Sequence, residues 1–526
     1  MKRTLKKGLA AGLAMILTAG LLTACGSADV SSETEEPSSA VSTAETVSDE
    51  SSAEEASEND MSAYFHSKDP YTIKIMMFGT ATTEAAEEIS AALSEITEEK
   101  LNADVELTMV NMGTYSEQLN MMLYSGDEFD LFCPFGGVSE MVYSGQIRPL
   151  DDLLDAYAPN IKNLVKDVYW NSTTYDGEIY GVPINTEKAY QLGFAMRKDI
   201  CDELGIDYEN MSTLDEVHDV LVQVKEAYPD MYPIVSDQGN MFASATYIGQ
   251  DEAGDSYHLT VAEDPYAEHP EIVSFFETDL FKERTTMLYQ WAQEGLIMPD
   301  ASTNTEMAQS LVAAGKAFGY FQHMKPGWEA DQTQNVGTEI VSIRYAEPVL
   351  TADSVSWYVP TSSGDPERAV AMLDLMYSDP DVSNLVVNGI EGEHYVVIDQ
   401  ENGVAAYPEG VDATTVTYTR MNWAWPNPQI AYLWEGQDLD IWDQYTEFND
   451  SARVTTSNGF KFNSNNVLNE ITACTNVYNK YVPALLCGSL DPETTIPQLN
   501  AEMEQAGIDT IISEKQKQLD EWLSQQ

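Results

Sequence analysis

Apolar and polar positions between residues 71 and 132 alternate with two different periods. Tyr71–Phe78 (YTIKIMMF) is a nearly continuous apolar run with polar flanks, the pattern of a buried strand. Ala85, Ile89, Ala92, Leu93 and Ile96 then recur at helical spacing, and Val105, Leu107 and Met109 alternate as a second strand. Leu119, Met122 and Leu123 share one face of another helix, and residues 129–132 give a third strand. This β-α-β-α-β order predicts a parallel sheet covered by helices, with ligands at the carboxyl ends of its strands. Gly79 and Thr80 follow the first strand, and Phe135, Gly136 and Gly137 follow the third. Glycines there either let a ligand approach the backbone or simply make turns.

A second α/β pattern begins beyond Pro183. Residues 191–196 are strand-like, and Thr213-Leu214-Asp215-Glu216 has the form of a capping box. It opens a helix whose inward residues are Leu214, Val217, Val220, Leu221 and Val224. Asp365-Pro366 and Asp379-Pro380 each set a capping Asp before a Pro at the first helical position, and Gly389 closes the second of these helices. The last helix carries Ile508, Ile511, Ile512, Leu519, Trp522 and Leu523 on one stripe. No short repeat suggests a solenoid.

The amino terminus follows a different pattern. Lys2, Arg3, Lys6 and Lys7 precede the apolar run GLAAGLAMILTAGLL, as in a secretory signal peptide. That run falls short of the ~20 residues needed to span a bilayer. Residues 26–60 then hold eleven Asp or Glu, ten Ser, no Lys or Arg and no aromatic residue. Such a segment buries too little apolar surface to offset its chain entropy, so a disordered tether is expected, with a root-mean-square span of roughly 30–35 Å.

Composition adds a constraint on partners. The apolar fraction of 43% is that of a globular body, but the net charge is −61, and removing residues 1–24 strips four basic residues and no acidic one. A chain so negative repels nucleic acid and anionic membrane surfaces. It is compatible with a cationic ligand or with a solvated acidic surface. Cys133, Cys201, Cys474 and Cys487 stand at no metal-like spacing. Cys133 lies in an apolar run and is expected to be a buried free thiol, while a bridge between Cys474 and Cys487 is open.

Several stretches resemble known families. Leu22-Thr23-Ala24-Cys25 resembles a bacterial lipobox, which implies cleavage before Cys25, a lipid (diacylglycerol, with palmitate among the acyl chains) on its thiol and anchoring at the extracytoplasmic face of the cell membrane. GDEFDLF (126–132), GQIRPLDDLLDAYAPN (145–160), DGEIYGVPI (176–184), MRKDICDELGID (196–207) and GKAFGYF (315–321) resemble bacterial extracellular solute-binding proteins, family 1. GFKFNSNNVLNE and the following stretch to EKQKQLDEWL are similar to the C-terminal region of LipO-like lipoproteins within that class. The resemblance implies a two-lobed α/β fold of the periplasmic-binding-protein (Venus flytrap) type, closing on a ligand about a hinge. On that basis one lobe is expected at 70–183 with 295–352, and the other at 184–294 with 353–526. It also implies a monomer that hands its cargo to ABC permease subunits, without cofactor or metal, and that a lipid tether keeps concentrated near them.

A search for catalysis finds no G-x-S-x-G, H-E-x-x-H or P-loop motif. The six histidines are scattered, and His394 in GIEGEHYVV suits packing or hydrogen bonding better than catalysis. Asp438, Asp440 and Asp443 lack the Gly and terminal Glu of an EF-hand loop, which leaves a solvated acidic loop as the better reading. Carboxylate pairs are inevitable among 87 acidic residues and point to no glycosidase. Aromatic rings beside polar groups are more informative, because sugar C–H faces pack on rings while sugar hydroxyls need polar partners. Arg420, Trp423 and Trp425 in RMNWAWPN supply both, and Trp170, Tyr190, Trp328 and Trp357 are further candidate platforms, each weighed against core packing. The expected function is capture of an oligosaccharide without chemistry. The alternatives are a peptide or cationic-solute binder and a cell-surface hydrolase.

Overall fold

The computed structural model describes residues 61–241, 249–255, 257–350, 355–413 and 415–526, all within the unit Glu55–Gln526. The expected signal peptide, Cys25 and the expected tether lie outside the described residues. None of the described helices is long and apolar enough to cross a membrane.

Two large sheets are built from ten strands. In chain order these are β1 Tyr71–Phe78, β2 Ala103–Val110, β3 Leu131–Phe132, β4 Gly181–Pro183, β5 Ala189–Arg197, β6 Tyr232–Ile234, β7 Ala317–Met324, β8 Ile340–Arg344, β9 Val349–Leu350 and β10 Ser356–Tyr358. The first sheet has the order β2-β1-β3-β10-β4, with β1 parallel to both β2 and β3, as the alternating pattern predicts. Its helix Thr83–Leu101 turns Ala85, Ile89 and Leu93 into the core and is capped by the Thr82 side chain. The second sheet has the order β8-β5-β7-β6, with β9 also on β5.

Each sheet has its own apolar core. The first is filled from β1 to β3 and by the helix Pro366–Ser378, in which Ala369 to Leu373 are all buried. The second is filled by β5 and β7 and by the helices Leu214–Ala227, Asp279–Gln293, Leu468–Leu485 and Ile508–Leu523. The expected caps form. Thr213 and Glu216 make the reciprocal capping box, and Asp365 and Asp379 accept from backbone N–H groups two or three residues on. Two lobes thus stand on separate cores, as the resemblance implies.

The lobe boundaries differ from the expectation. Residues 317–344 were expected with the first sheet, yet β7 and β8 flank β5 in the second. Residues beyond 353 were expected in the second lobe, yet β10 lies between β3 and β4, and 369–387 pack in the first core. The chain returns to the first lobe near residue 355 and leaves it again before residue 455, so 455–526 complete the second lobe. Strand alternation fixes which residues are strands but not which sheet they join, because pairing partners are chosen by long-range packing. Cys133, Cys201, Cys474 and Cys487 are all buried and free, so the possible bridge between the last two does not form.

The crossing at 183–189 has few strand partners and is satisfied mainly by buried side chains. Asn449 Oδ1 accepts from the N–H of Lys188 at 2.7 Å and of Ala189 at 3.0 Å, while its Nδ2 donates to the Thr186 carbonyl at 3.3 Å. Asn427 Oδ1 accepts from Asn185 Nδ2 at 3.1 Å, and the Tyr377 hydroxyl donates to the Pro183 carbonyl. Glu187 pairs with Lys325 at 2.8 Å. Lys188 is the exception: it is 4% exposed, and its Nζ has no hydrogen-bond partner among the described residues. Burial pushes its ammonium down to about 7, against the neighbouring Glu187 charge.

A lysine whose folded pKa is depressed destabilises the fold fully below that value, and the cost fades as pH rises towards its ordinary 10.5. Lys188→Met is therefore expected to stabilise the protein by at least about 1 kcal/mol at pH 6 and by much less at pH 10. Urea unfolding at the two pH values checks this, and an equal gain at both would show that charge is not the cause.

Candidate functional site

The loop after β3 faces the second lobe. Its turn needs glycine, since Gly136 and Gly137 have φ of 118° and 71°, where side chains are strained. The turn delivers Phe135, which is 46% exposed, and then Glu140 in the short helix Val138–Tyr143. Behind Phe135 an aromatic series runs down into the core: Phe78 lies 4.0 Å away, Trp423 stacks on Phe78 at 5.4 Å, and Tyr115 meets Phe78 edge-on at 5.4 Å. The exposed ring thus stands on a rigid base.

Between this loop and the second lobe lies a hollow of about 470 Å³. The first lobe lines it with Phe135, Glu140, Ser172, Tyr175 and Tyr358, and the second with Gly254, Asp255, Tyr257 and Phe462. The Tyr257 hydroxyl crosses the gap, donating to Glu140 Oε1 at 3.3 Å and sharing a hydrogen bond with Ser464 Oγ at 3.0 Å. Burial, with the Glu140 charge beside it, raises the Tyr257 pKa, so the phenol stays protonated. Asn171 Nδ2 donates to Asn458 Oδ1 at 3.3 Å, a second link between the lobes.

The second-lobe wall is held by a buried polar network. Lys515, on the last helix and wholly buried, pairs with Asp255 at 2.6 Å and donates to the Glu252 carbonyl at 2.7 Å. Asp255 Oδ1 accepts the Tyr257 N–H at 3.0 Å, and the Asp251 side chain accepts from Ala253 N–H and from Ser457. Burial raises the Asp255 carboxyl pKa despite the lysine. Burial opposes charge on His258 too, but the Glu252 carboxylate at 2.9 Å outweighs it and raises the imidazole pKa. Ala253 and His258 sit at φ of 50° and 59°, left-handed conformations that this network has to hold.

The predicted site residues separate clearly by environment. Phe135 lines the hollow, and half-buried Trp423 supports it from behind. Gly79 is approached not by a ligand but by packing, since an added Cβ would meet Met421 Cε at 2.5 Å and Met109 Cε at 2.6 Å. Thr80 is exposed, and its carbonyl accepts from Thr419 N–H. Trp357 and Trp425 are both wholly buried and stacked at 5.1 Å in the first core, so neither can offer a face to a ligand. Trp328 is likewise in the second core. Trp170 packs against the first core, next to Asn171 at the lobe contact. Tyr190 stacks on His323 at 4.2 Å in the second sheet.

Arg420 lies over the Trp434 ring at 5.0 Å and donates from Nε to Asn388. Burial pushes its guanidinium down to about 10. His394 accepts from the Ile390 N–H and contacts the Thr417 hydroxyl at 3.0 Å, the bonding role expected of it. Asp438, Asp440 and Asp443 are exposed.

Glu140, Asp255, Tyr257 and Phe462 were not singled out from the sequence. Glu140 follows Gly136-Gly137 by one helical turn, a position that could have drawn notice. The other three come from segments distant in sequence.

Comparison with known proteins places these features in context. A model described as bacterial extracellular solute-binding protein matches residues 91–386, and one described as a domain of unknown function matches residues 456–524. A carbohydrate ABC transporter substrate-binding protein from Streptococcus pneumoniae is 24% identical over 473 residues, which is 87% of this chain and 92% of the relative. The N-glycan transport solute-binding protein NgtS of the same species has a similar structure, with a TM-score of 0.77 at 21% identity, covering 86% of this chain and 99% of that one. NgtS has also been solved with Man1GlcNAc and with Man5GlcNAc. The S. pneumoniae protein FusA, solved with kestose, gives a TM-score of 0.61 at 18% identity over 86% of this chain and 100% of that one.

The different surroundings of the aromatic residues give a direct test. Trp425→Ala is expected to destabilise the protein by about 3–5 kcal/mol, and Phe135→Ala by less than about 1 kcal/mol. Chemical denaturation of both variants checks this; equal losses would mean that Phe135 is core rather than a surface ring.

Proposed function

This chain belongs to the bacterial extracellular solute-binding proteins, and from that membership we propose that it captures an oligosaccharide between its lobes and passes it to the permease of an ABC importer. The observation that carries this reading is the interlobe hollow, where rings of Phe135, Tyr175, Tyr257, Tyr358 and Phe462 stand beside Glu140, Asp255, Ser172 and Ser356. Rings pack on the C–H faces of sugars, while carboxylates and hydroxyls bond their OH groups. The names of the similar proteins support the same cargo class, since NgtS is solved with mannose-containing glycans and FusA with kestose.

The mechanism is binding and closure. An open cleft admits the glycan to the Phe135 wall, and closure brings Asp255 and Tyr257 over it. The Tyr257 hydroxyl and the Glu140 carboxylate, which bond each other here, then exchange that bond for bonds to sugar hydroxyls. No covalent step is involved, and the protein acts as a carrier rather than an enzyme. The lipid on Cys25 and the acidic tether keep the carrier at the extracytoplasmic face, within reach of the permease.

Two expectations follow. Titration calorimetry of the detergent-solubilised full chain against a panel of oligosaccharides should find one glycan class that binds with micromolar or tighter affinity and is recovered unchanged. Consumption of the glycan would instead support a hydrolase, and binding of peptides alone would overturn the sugar cargo. Cys25→Ser should abolish incorporation of labelled palmitate by growing cells; retained label would place the lipid elsewhere.

A further inference from the structure

The walls of the proposed site carry acids and no base. The 470 Å³ hollow is lined by Glu140 and Asp255, and no Lys, Arg or His is among its lining residues. An adjoining hollow of about 530 Å³, on the other side of the 134–140 loop, is again lined by Glu140 and by no base. A third, of about 1030 Å³, lies between the helix Trp328–Val336 and residues 407–436; its charged lining is Glu329, Glu339, Asp412 and Glu435. Two cations stand behind the lining of the first hollow, each held by a lining residue. Lys515 is wholly buried against Asp255 and the Glu252 carbonyl, and Lys461 is turned onto the Tyr175 ring at 5.4 Å. With Asp255 neutralised by its lysine, Glu140 is the exposed carboxylate of this hollow.

We propose that this cleft selects uncharged oligosaccharides against uronate-bearing ones, and that Glu140 is a specificity-determining residue; this rests on the oligosaccharide reading above. A neutral sugar hydroxyl donates to Glu140 and forms a charge-assisted hydrogen bond. A uronate carboxylate brought to the same wall loses water, meets a like charge, and finds no guanidinium or ammonium among the lining residues to replace its solvation. The −61 charge of the whole chain adds a longer-range repulsion that slows the approach of anionic glycans and is screened by salt. The local contribution is distinguishable from the global one because only the global part fades with ionic strength.

The test uses the detergent-solubilised full chain and calorimetry with neutral pentasaccharides (manno-, malto- and cello-series) and a galacturonate pentamer, at 0.15 M and 0.5 M salt. At least one neutral pentasaccharide is expected to bind, and the uronate at least about tenfold more weakly at both salt concentrations. Glu140→Gln should narrow that ratio several-fold. Glu226→Gln, which removes an exposed carboxylate outside these hollows on the helix Leu214–Ala227, should leave the ratio unchanged. A uronate that binds as tightly as the neutral sugars overturns the selectivity, and a ratio indifferent to Glu140→Gln overturns the role of that residue. If none of the glycans binds, the oligosaccharide reading itself fails, and the selectivity with it.

Discussion

The lobes depend on one constraint: a chain that crosses between two sheets must bond its backbone away from both of them. Buried N–H and C=O groups without partners cost about 1–3 kcal/mol each, so a bare crossing would be expensive. At 183–189 the protein meets this mainly with side chains: Asn449, Tyr377 and Gln429, whose Nε2 donates to the Asn185 carbonyl at 3.1 Å. Asn449 alone serves three backbone groups of the crossing.

The same division explains why the site is composite. The first lobe offers a stiff wall, because Phe135 rests on Phe78 and Trp423 above a filled core. The second offers a loop with two residues at positive φ, held by Lys515 and Asp251 rather than by a sheet. Lys515 comes from the final helix, within the part matched by a domain of unknown function. That carboxy-terminal segment therefore does more than cover the second core: it fixes the height at which Asp255 and Tyr257 meet the first lobe. Removing Lys515 would leave Asp255 buried without its counter-charge, the costly way to break a buried pair.

Much of the local structure is legible in the residues. The Thr213/Glu216 box, the Asp-Pro helix starts and the inward faces at Ala85, Ile89 and Leu93 depend on neighbours within a turn or two, so short-range spacing suffices. The aromatic candidates were less legible. Trp423 and Trp425 are two residues apart in the same polar setting, yet one supports the ring that lines the cleft and the other is sealed in the core against Trp357. Nothing within the stretch RMNWAWPN distinguishes them, because burial is set by what packs on top.

What the sequence by itself determined is the α/β class, the caps and faces of the helices, and the likeness to the family. The class, caps and faces rest on spacing between near neighbours, and the family on matching stretches along the chain. Tertiary structure alone decided which sheet β7, β8 and β10 join, and so where each lobe begins and ends. It alone brought Glu140 against Tyr257 from 117 residues away and set Lys515 under Asp255. Those contacts join segments that share no local pattern; they exist only because two cores, each closing on its own apolar surface, leave a gap between them.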